Sequence, residues 1–314
     1  MNQKKKEILI VGAGAVGIVY GAALHAIGEN VTYWVREKYL EETQKGIPLH
    51  VISLLGTKKM ETPRRAVAKL EDIEIVPDEI WLCVSKTAVK SKDLDTLIRH
   101  FPRTHLVSFQ PGLTDLEHLK KRFPDHKIDA GVIGFVAFQP HAAETRKGIS
   151  VWFPPGAPSQ FYTPNASDFV RRLNKGGCPS KVDKKAMEKV SQMTVVLNAF
   201  VLYLELSDWR FKLFKKEIRN FNAFVDENLN IVNSHTKNKK MGGLGILKSS
   251  FAFQTLLKTI SLAAPFDLQA YLKYHFLKVR DQSLAMLVEN IKVADDASLP
   301  HQHTDALLKR LENG

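Results

Sequence analysis

The residues most able to do chemistry lie near the start of the chain: Gly12, Ala13, Gly14, Ala15, Val16 and Gly17, a GxGxxG run. Each glycine has its own reason in a dinucleotide site. The first permits a tight turn, the second lets the backbone approach a pyrophosphate, and the third allows a helix to pack closely on a strand. A helix opening there aims its unpaired N–H groups and positive dipole end at phosphate. Glycine clusters also mark ordinary turns, so the surroundings decide. Glu7 to Val11 (EILIV) reads as a short strand before the run, and Ala15 to Ile27 has helical composition, with Gly28 where a helix C-cap belongs. Val31 to Val35 (VTYWV) is a second strand, ending at Arg36, Glu37 and Lys38. A site selective for NAD places an acid there for the ribose hydroxyls. Arg36 instead suits a 2′-phosphate, held by paired charge-assisted hydrogen bonds, so the expected cofactor is NADP(H). Two other readings stay open: Arg36 as a plain exposed residue at a strand end, and Glu37 as a ribose ligand.

The elements around this run must hold it. Ile80 to Val84 (IWLCV) and Leu106 to Phe109 (LVSF) repeat the strand pattern, with a helix-compatible Lys92 to Arg99 between them. Strands alternating with helices predict a parallel sheet with helices on its faces, an α/β doubly wound Rossmann domain. A Pro- and Gly-rich stretch, Phe153 to Pro164, lies between strand-like Ile149 to Trp152 and Gln160 to Tyr162, and predicts a small antiparallel extension. Near Lys184 the pattern turns helical: Lys184 to Leu206, Trp209 to Val232, Phe251 to Leu262, Asp267 to Val293 and Thr304 to Leu311. The expectation is an NADP(H)-binding Rossmann domain over 1–182, then an all-helical substrate or dimerisation domain over 183–314, with a cleft between them.

Composition narrows the class further. The 314 residues are 44% hydrophobic and 25% charged, enough apolar content for a real core and too much for a disordered chain. No apolar run approaches the ~18 residues of a membrane helix, so no membrane partner is expected. Met1 to Lys6 is basic like a signal n-region, yet the apolar stretch behind it carries the spaced glycines and no clear cleavage site. Cys83 and Cys178 fit no disulfide or metal spacing, so no metal and a cytoplasmic location are expected, with Cys83 a core residue. The net charge of +12 is spread over both halves, without an arginine-rich arm or an RNA-binding signature, so no nucleic acid is expected. Its densest stretch, Lys237, Lys239 and Lys240 before Met241, reads as a solvated loop, while the diffuse field favours a small anionic substrate. His141 and His275 rank low as acid–base or metal candidates, and His301-Gln302-His303 reads as a polar tail. Trp209, Phe211 and Phe214 fit helix packing or a homodimer surface.

Several motifs in order resemble the ketopantoate reductases, which join a Rossmann domain to a helical domain and reduce a 2-oxo acid with NADPH. The resemblance starts at IVGAGAVG and the VTYWVRE strand ending in Arg36, and continues at WLCVSKTAV, where Lys86 falls on a family lysine near the cofactor. Phe109 to Leu119 (FQPGLTDLEHL) looks like a family loop, with Pro111 where the family has an asparagine. Met187 to Val190 (MEKV) is similar to the element whose lysine is the catalytic acid, which implies that role for Lys189. Asp267 to Leu272 (DLQAYL) resembles a stretch beginning with a functional glutamate, and Asp267 would orient Lys189. Counting on from Lys189, two family asparagine positions hold Met193 and Leu197, with Asn198 one step away as a substrate contact. Thr255 falls near a family serine as a second substrate contact, and Lys273 replaces a helix glycine. The resemblance thus implies a reductase of a small anionic carbonyl compound, with a substrate other than ketopantoate left open. Lys189 also reads as part of a solvated helix face, Lys86 as a loop lysine and Asp267 as a helix cap. The rival from another class is a non-catalytic NADP(H)-binding sensor or regulator that keeps the fold.

Overall fold

The computed structural model describes residues 4–109, 115–139, 147–236 and 250–312. Pro111, His141 and the basic stretch from Lys237 lie outside them. Two compact units divide the described chain, the first closing at Ala186 and the second opening at Met187. The sequence reading drew that line after Val182. Asp183 still belongs to the first unit, its N–H donating to the Phe161 carbonyl at 3.0 Å.

The first unit begins with β1 (Glu7–Val11), α1 (Ala15–Ala26), β2 (Asn30–Trp34), α2 (Leu40–Lys45), β3 (Leu49–Ser53), β4 (Gly56–Met60) and β5 (Ala66–Val67). It continues with β6 (Glu79–Leu82), α3 (Lys86–Val89), α4 (Lys92–His100), β7 (His105–Ser108), α5 (Asp115–Arg122), β8 (Ile128–Val132) and β9 (Val136–Phe138). Then come β10 (Ile149–Trp152), β11 (Ser159–Phe161), α6 (Ala166–Lys175) and β12 (Ser180–Val182).

Eight strands form one sheet in the order β12-β11-β8-β7-β6-β1-β2-β5. From β5 to β8 every pairing is parallel. Counted along the chain, those six strands read 3-2-1-4-5-6, the Rossmann order, which reverses between β1 and β6. Ile8 to Val11, Ile80 to Leu82, Leu106 and Val107 are all buried, as strands covered on both faces must be.

The second sheet, β4-β3-β10-β9, was not expected. It takes β10 away from the predicted antiparallel extension, while β11 joins the large sheet antiparallel to β8. Besides the preceding strand β9, β10 pairs with β3, remote in sequence, and local periodicity carries no trace of that pairing. Helix α1 packs against both sheets, and Gly17 to Leu24 are all buried. A helix without a polar face is what two covering layers require.

A buried ion cluster ties the amino ends of the central strands to α6. Glu79 and Arg172 are 1% and 2% exposed, and Arg172 Nη2 donates to both Glu79 oxygens at 2.6 and 2.8 Å. Lys6 Nζ donates to the same carboxylate at 2.6 Å, and Trp81 Nε1 at 2.9 Å.

The second unit is helical throughout its described residues: α7 (Ala186–Glu205), α8 (Phe211–Phe214), α9 (Ile218–Thr236), α10 (Ser250–Ala263), α11 (Leu268–Lys278), α12 (Arg280–Asp296) and α13 (Gln302–Glu312). Two helices expected to be continuous are broken. The expected Trp209 to Val232 segment is divided by a turn at 215–217 into α8 and α9, and Asp208 and Trp209 take left-handed conformations (φ 51° and 59°) ahead of α8. Val279 separates α11 from α12. Trp209 and Phe214 are buried in the core with Phe200, Phe221 and Phe224, which is helix packing. Nor is His301–His303 a tail. The His301 ring lies 3.0 Å from both the Asp295 and Asp305 carboxylates, and the N–H groups of His303 and Thr304 donate to Glu227.

Candidate functional site

The GxGxxG turn leaves β1 at the point where the strand order reverses, the place where open α/β sheets bind ligands. Two of its glycines are required by the protein itself. Gly12 has φ +97°, and a Cβ there would stand 2.7 Å from Val84 Cγ1 and 3.0 Å from the Cys83 carbonyl oxygen. At Gly17 a Cβ would stand 2.0 Å from the Gly12 oxygen. Gly14 differs from both. It is exposed, caps α1 with extended backbone (φ −76°), and a Cβ there would meet nothing within 4 Å. Nothing among the described residues demands a glycine at that position, whereas a phosphate approaching the backbone would. Ala13, Ala15 and Val16 flank it, half-buried against the core of the first unit. The amino end of α1 also carries the N–H groups that no helix satisfies internally.

The neighbouring strand ends bring more groups to this turn. The Gly12 N–H donates to the Trp34 carbonyl at 3.0 Å, which fixes the end of β2 beside it. Arg36 follows, exposed, with Nη2 donating to the Tyr39 hydroxyl at 3.4 Å and its guanidinium carbon 5.1 Å from the Tyr39 ring centre. Lys38 Nζ lies 4.9 Å from the same ring. The sequence reading singled out Arg36 but not this pairing of two cations on one tyrosine. A basic–acid–basic–aromatic string after the strand was the available signal. On the other side, the Cys83 N–H donates to the Val11 carbonyl at 3.0 Å. Lys86 opens α3 three residues later; its side chain lies outside the described residues. Burial pushes the Cys83 thiol well above its ordinary range, which suits a packing residue and not a nucleophile.

The candidates in the second unit scatter. Lys189 is exposed on α7. Met193 and Leu197 follow at four-residue steps, 48% and 49% exposed. Asn198 is instead buried and donates to the Ser283 carbonyl of α12 at 3.2 Å, so its amide ties two helices together. One residue step turns a side chain by about 100° round a helix, enough to take Asn198 off the exposed stripe. Asp267 accepts from the Ala270 N–H at 3.0 Å and caps α11, the plainer of its two sequence readings. Thr255 is exposed on α10, with its carbonyl accepting from the Thr259 hydroxyl at 2.9 Å. Among the described residues no cluster of His, Cys, Asp or Glu is arranged to hold a metal, and no helix is long and apolar enough to cross a membrane.

A parallel sheet in 3-2-1-4-5-6 order with a GxGxxG turn at its switch point, followed by a helical unit, defines a Rossmann-domain protein of two-unit build. Residues 8–152 match the family described as Ketopantoate reductase PanE/ApbA. Solved structures agree over its length. The 2-dehydropantoate 2-reductase from Methylococcus capsulatus superposes with a TM-score of 0.70 at 17% identity, covering 98% of this chain and 96% of that one. The enzyme of the same name from Geobacter metallireducens GS-15 gives 0.68 at 18% identity, covering 98% and 99%. A D-mandelate dehydrogenase solved with NADH and anilino(oxo)acetate gives 0.67 at 13% identity, covering 98% and 97%. Likenesses at such identities speak to the fold. No curated protein sequence matches the chain.

Proposed function

We propose that this protein is an NADPH-dependent reductase of a small 2-oxo acid, similar to ketopantoate reductase. The observation that carries the reading is Gly14, a glycine kept where the chain leaves a side chain ample room. Its purpose is then the approach of a pyrophosphate to the turn and to the first N–H groups of α1. Arg36, with Lys38 beside it on Tyr39, supplies the positive charge for a 2′-phosphate. The bound nicotinamide would supply a hydride to the carbonyl carbon of the substrate. Reduction puts negative charge on the carbonyl oxygen, which needs a proton or a strong donor. Lys189 is that donor in this reading, and Lys86 is the cation for the substrate carboxylate. Asn198 and Asp267 drop to structural duties, as their bonds to Ser283 and Ala270 favour. Two unpaired cysteines suit a reducing, cytoplasmic setting.

The test is NADPH oxidation by the purified protein across a panel of 2-oxo acids, with NADPH affinity measured by calorimetry. Turnover of at least one acid is expected, and Lys189→Ala should lower kcat by about 10²–10³-fold while NADPH affinity holds. Tight NADPH binding without turnover on any acid would replace the reductase with the sensor reading.

A further inference from the structure

Helix α7 is buried along most of its length: Val195, Val196 and every residue from Asn198 to Tyr203 are enclosed. Its exposed face carries Lys189, Met193 and Leu197. They stand at i, i+4 and i+8, one above another at about 6 Å of rise per step. Single exposed apolar residues are ordinary on protein surfaces, and it is the combination that carries information here. A cation heads the stripe and two unbranched or γ-branched apolar side chains continue it for about 12 Å. Such a surface is complementary to a small amphiphile with an anionic head and an apolar tail.

Resting on the reading of Lys189 as the donor to the substrate, we propose that Met193 and Leu197 select 2-oxo acids with an apolar side chain, aliphatic or aromatic, over hydroxylated ones such as ketopantoate. Lys189 meets the polar end of the substrate, and the side chain of the acid lies along Met193 and Leu197. Neither residue offers a strong hydrogen-bond partner. A hydroxyl placed against them gives up water and gains nothing, while a methylene or ring gains burial. Methionine also adapts its shape and makes favourable sulfur contacts with rings, so branched and aromatic tails both fit.

The discriminating experiment compares kcat/KM for 2-oxo-4-methylpentanoate, phenylglyoxylate and ketopantoate with NADPH. The apolar acids should lead by a factor on the order of 10–10², the range that a hydrophobic site achieves against an added hydroxyl. Met193→Asn and Leu197→Asn, singly and together, should shift that ratio tenfold or more toward ketopantoate, with NADPH affinity and the circular dichroism spectrum unchanged. Both positions are about half exposed, so the variants should fold. A wild type that favours ketopantoate, or a ratio the variants leave alone, would overturn the selection by α7 and leave the reductase standing. Absence of turnover on all three acids and on the wider panel, with NADPH bound, would remove the reductase and this selectivity with it.

Discussion

Single residues separate what the fold needs from what a ligand needs. Gly17 and Gly14 sit three positions apart in one turn, yet the first has a carbonyl oxygen 2.0 Å from where its Cβ would be and the second has open space. Gly17→Ala should therefore destabilise the protein by about 1–3 kcal/mol or more through overpacking, read as a fall in the denaturation midpoint. Gly14→Val should leave that midpoint near the wild type and abolish NADPH binding in calorimetry. Unchanged affinity in folded Gly14→Val would reduce the motif to a turn. The same contrast holds at Arg36. It is exposed with its guanidinium against Tyr39, so Arg36→Ala should spare the fold. The variant should lose most of the preference for NADPH over NADH, roughly 10- to 150-fold for one charge-assisted contact worth about 1.5–3 kcal/mol. Equal affinities for the two cofactors in the wild type would move the ribose contact to Glu37.

Among the elements, α6 is bound to the central sheet by the Arg172–Glu79–Lys6 cluster. Burial pushes the Glu79 carboxyl up, but the charges and hydrogen bonds of Arg172 and Lys6 outweigh it and hold the group below its ordinary value. For Asp129 too, burial raises and hydrogen bonds from His105 and Asn165 lower, with the net shift downward. A carboxyl more acidic in the folded than in the unfolded chain stabilises above the unfolded value and loses that contribution as pH falls through the folded one. The melting temperature should accordingly drop as pH is lowered below about 4, the unfolded carboxylate range. Arg172→Met leaves the buried Glu79 carboxylate to Lys6 and Trp81 alone and should cost up to about 3–5 kcal/mol near neutral pH, with a weaker loss on acidification. Elements also show what was legible beforehand. The β1–turn–α1–β2 run could be read because its signals are neighbours: an apolar strand, spaced glycines, a helix and a second strand. Strands β3, β4, β9 and β10 could not, since what joins the β3–β4 hairpin and the β9–β10 pair into one sheet is the pairing of β3 with β10, far along the chain. The breaks at 215–217 and at Val279 carry no Gly or Pro to announce them. In the site, the cofactor end was legible for the same local reason. The α7 end was only partly so, because the sequence places Asn198 one step from Leu197 without saying which of the two the core will enclose.

At the scale of the whole molecule, three apolar cores are built among the described residues. One spans both sheets around α1, a second packs α4 and α5 on the other face of the large sheet, and a third gathers the aromatic residues of α7, α8 and α9. The excess of positive charge is divided between the two halves, so solubility does not depend on either alone. The second sheet brings an exposure of its own. Among the described residues strand β4 is paired on one side only, by β3, and its five residues are exposed or half-exposed. The turn before it presents Leu54 and Leu55 at 71% and 101% exposure. An open edge of this kind is a template on which another chain can add a strand. Lys58 and Lys59 lie in the middle of it, where a second copy would have to pair its own lysines against them. Replacing both with valine should leave the melting temperature nearly unchanged and raise light scattering with protein concentration; a clear solution at high concentration would show that the edge is guarded by something else. What two surface lysines protect here is the separateness of neighbouring molecules in a crowded solution, a property no single folded copy displays.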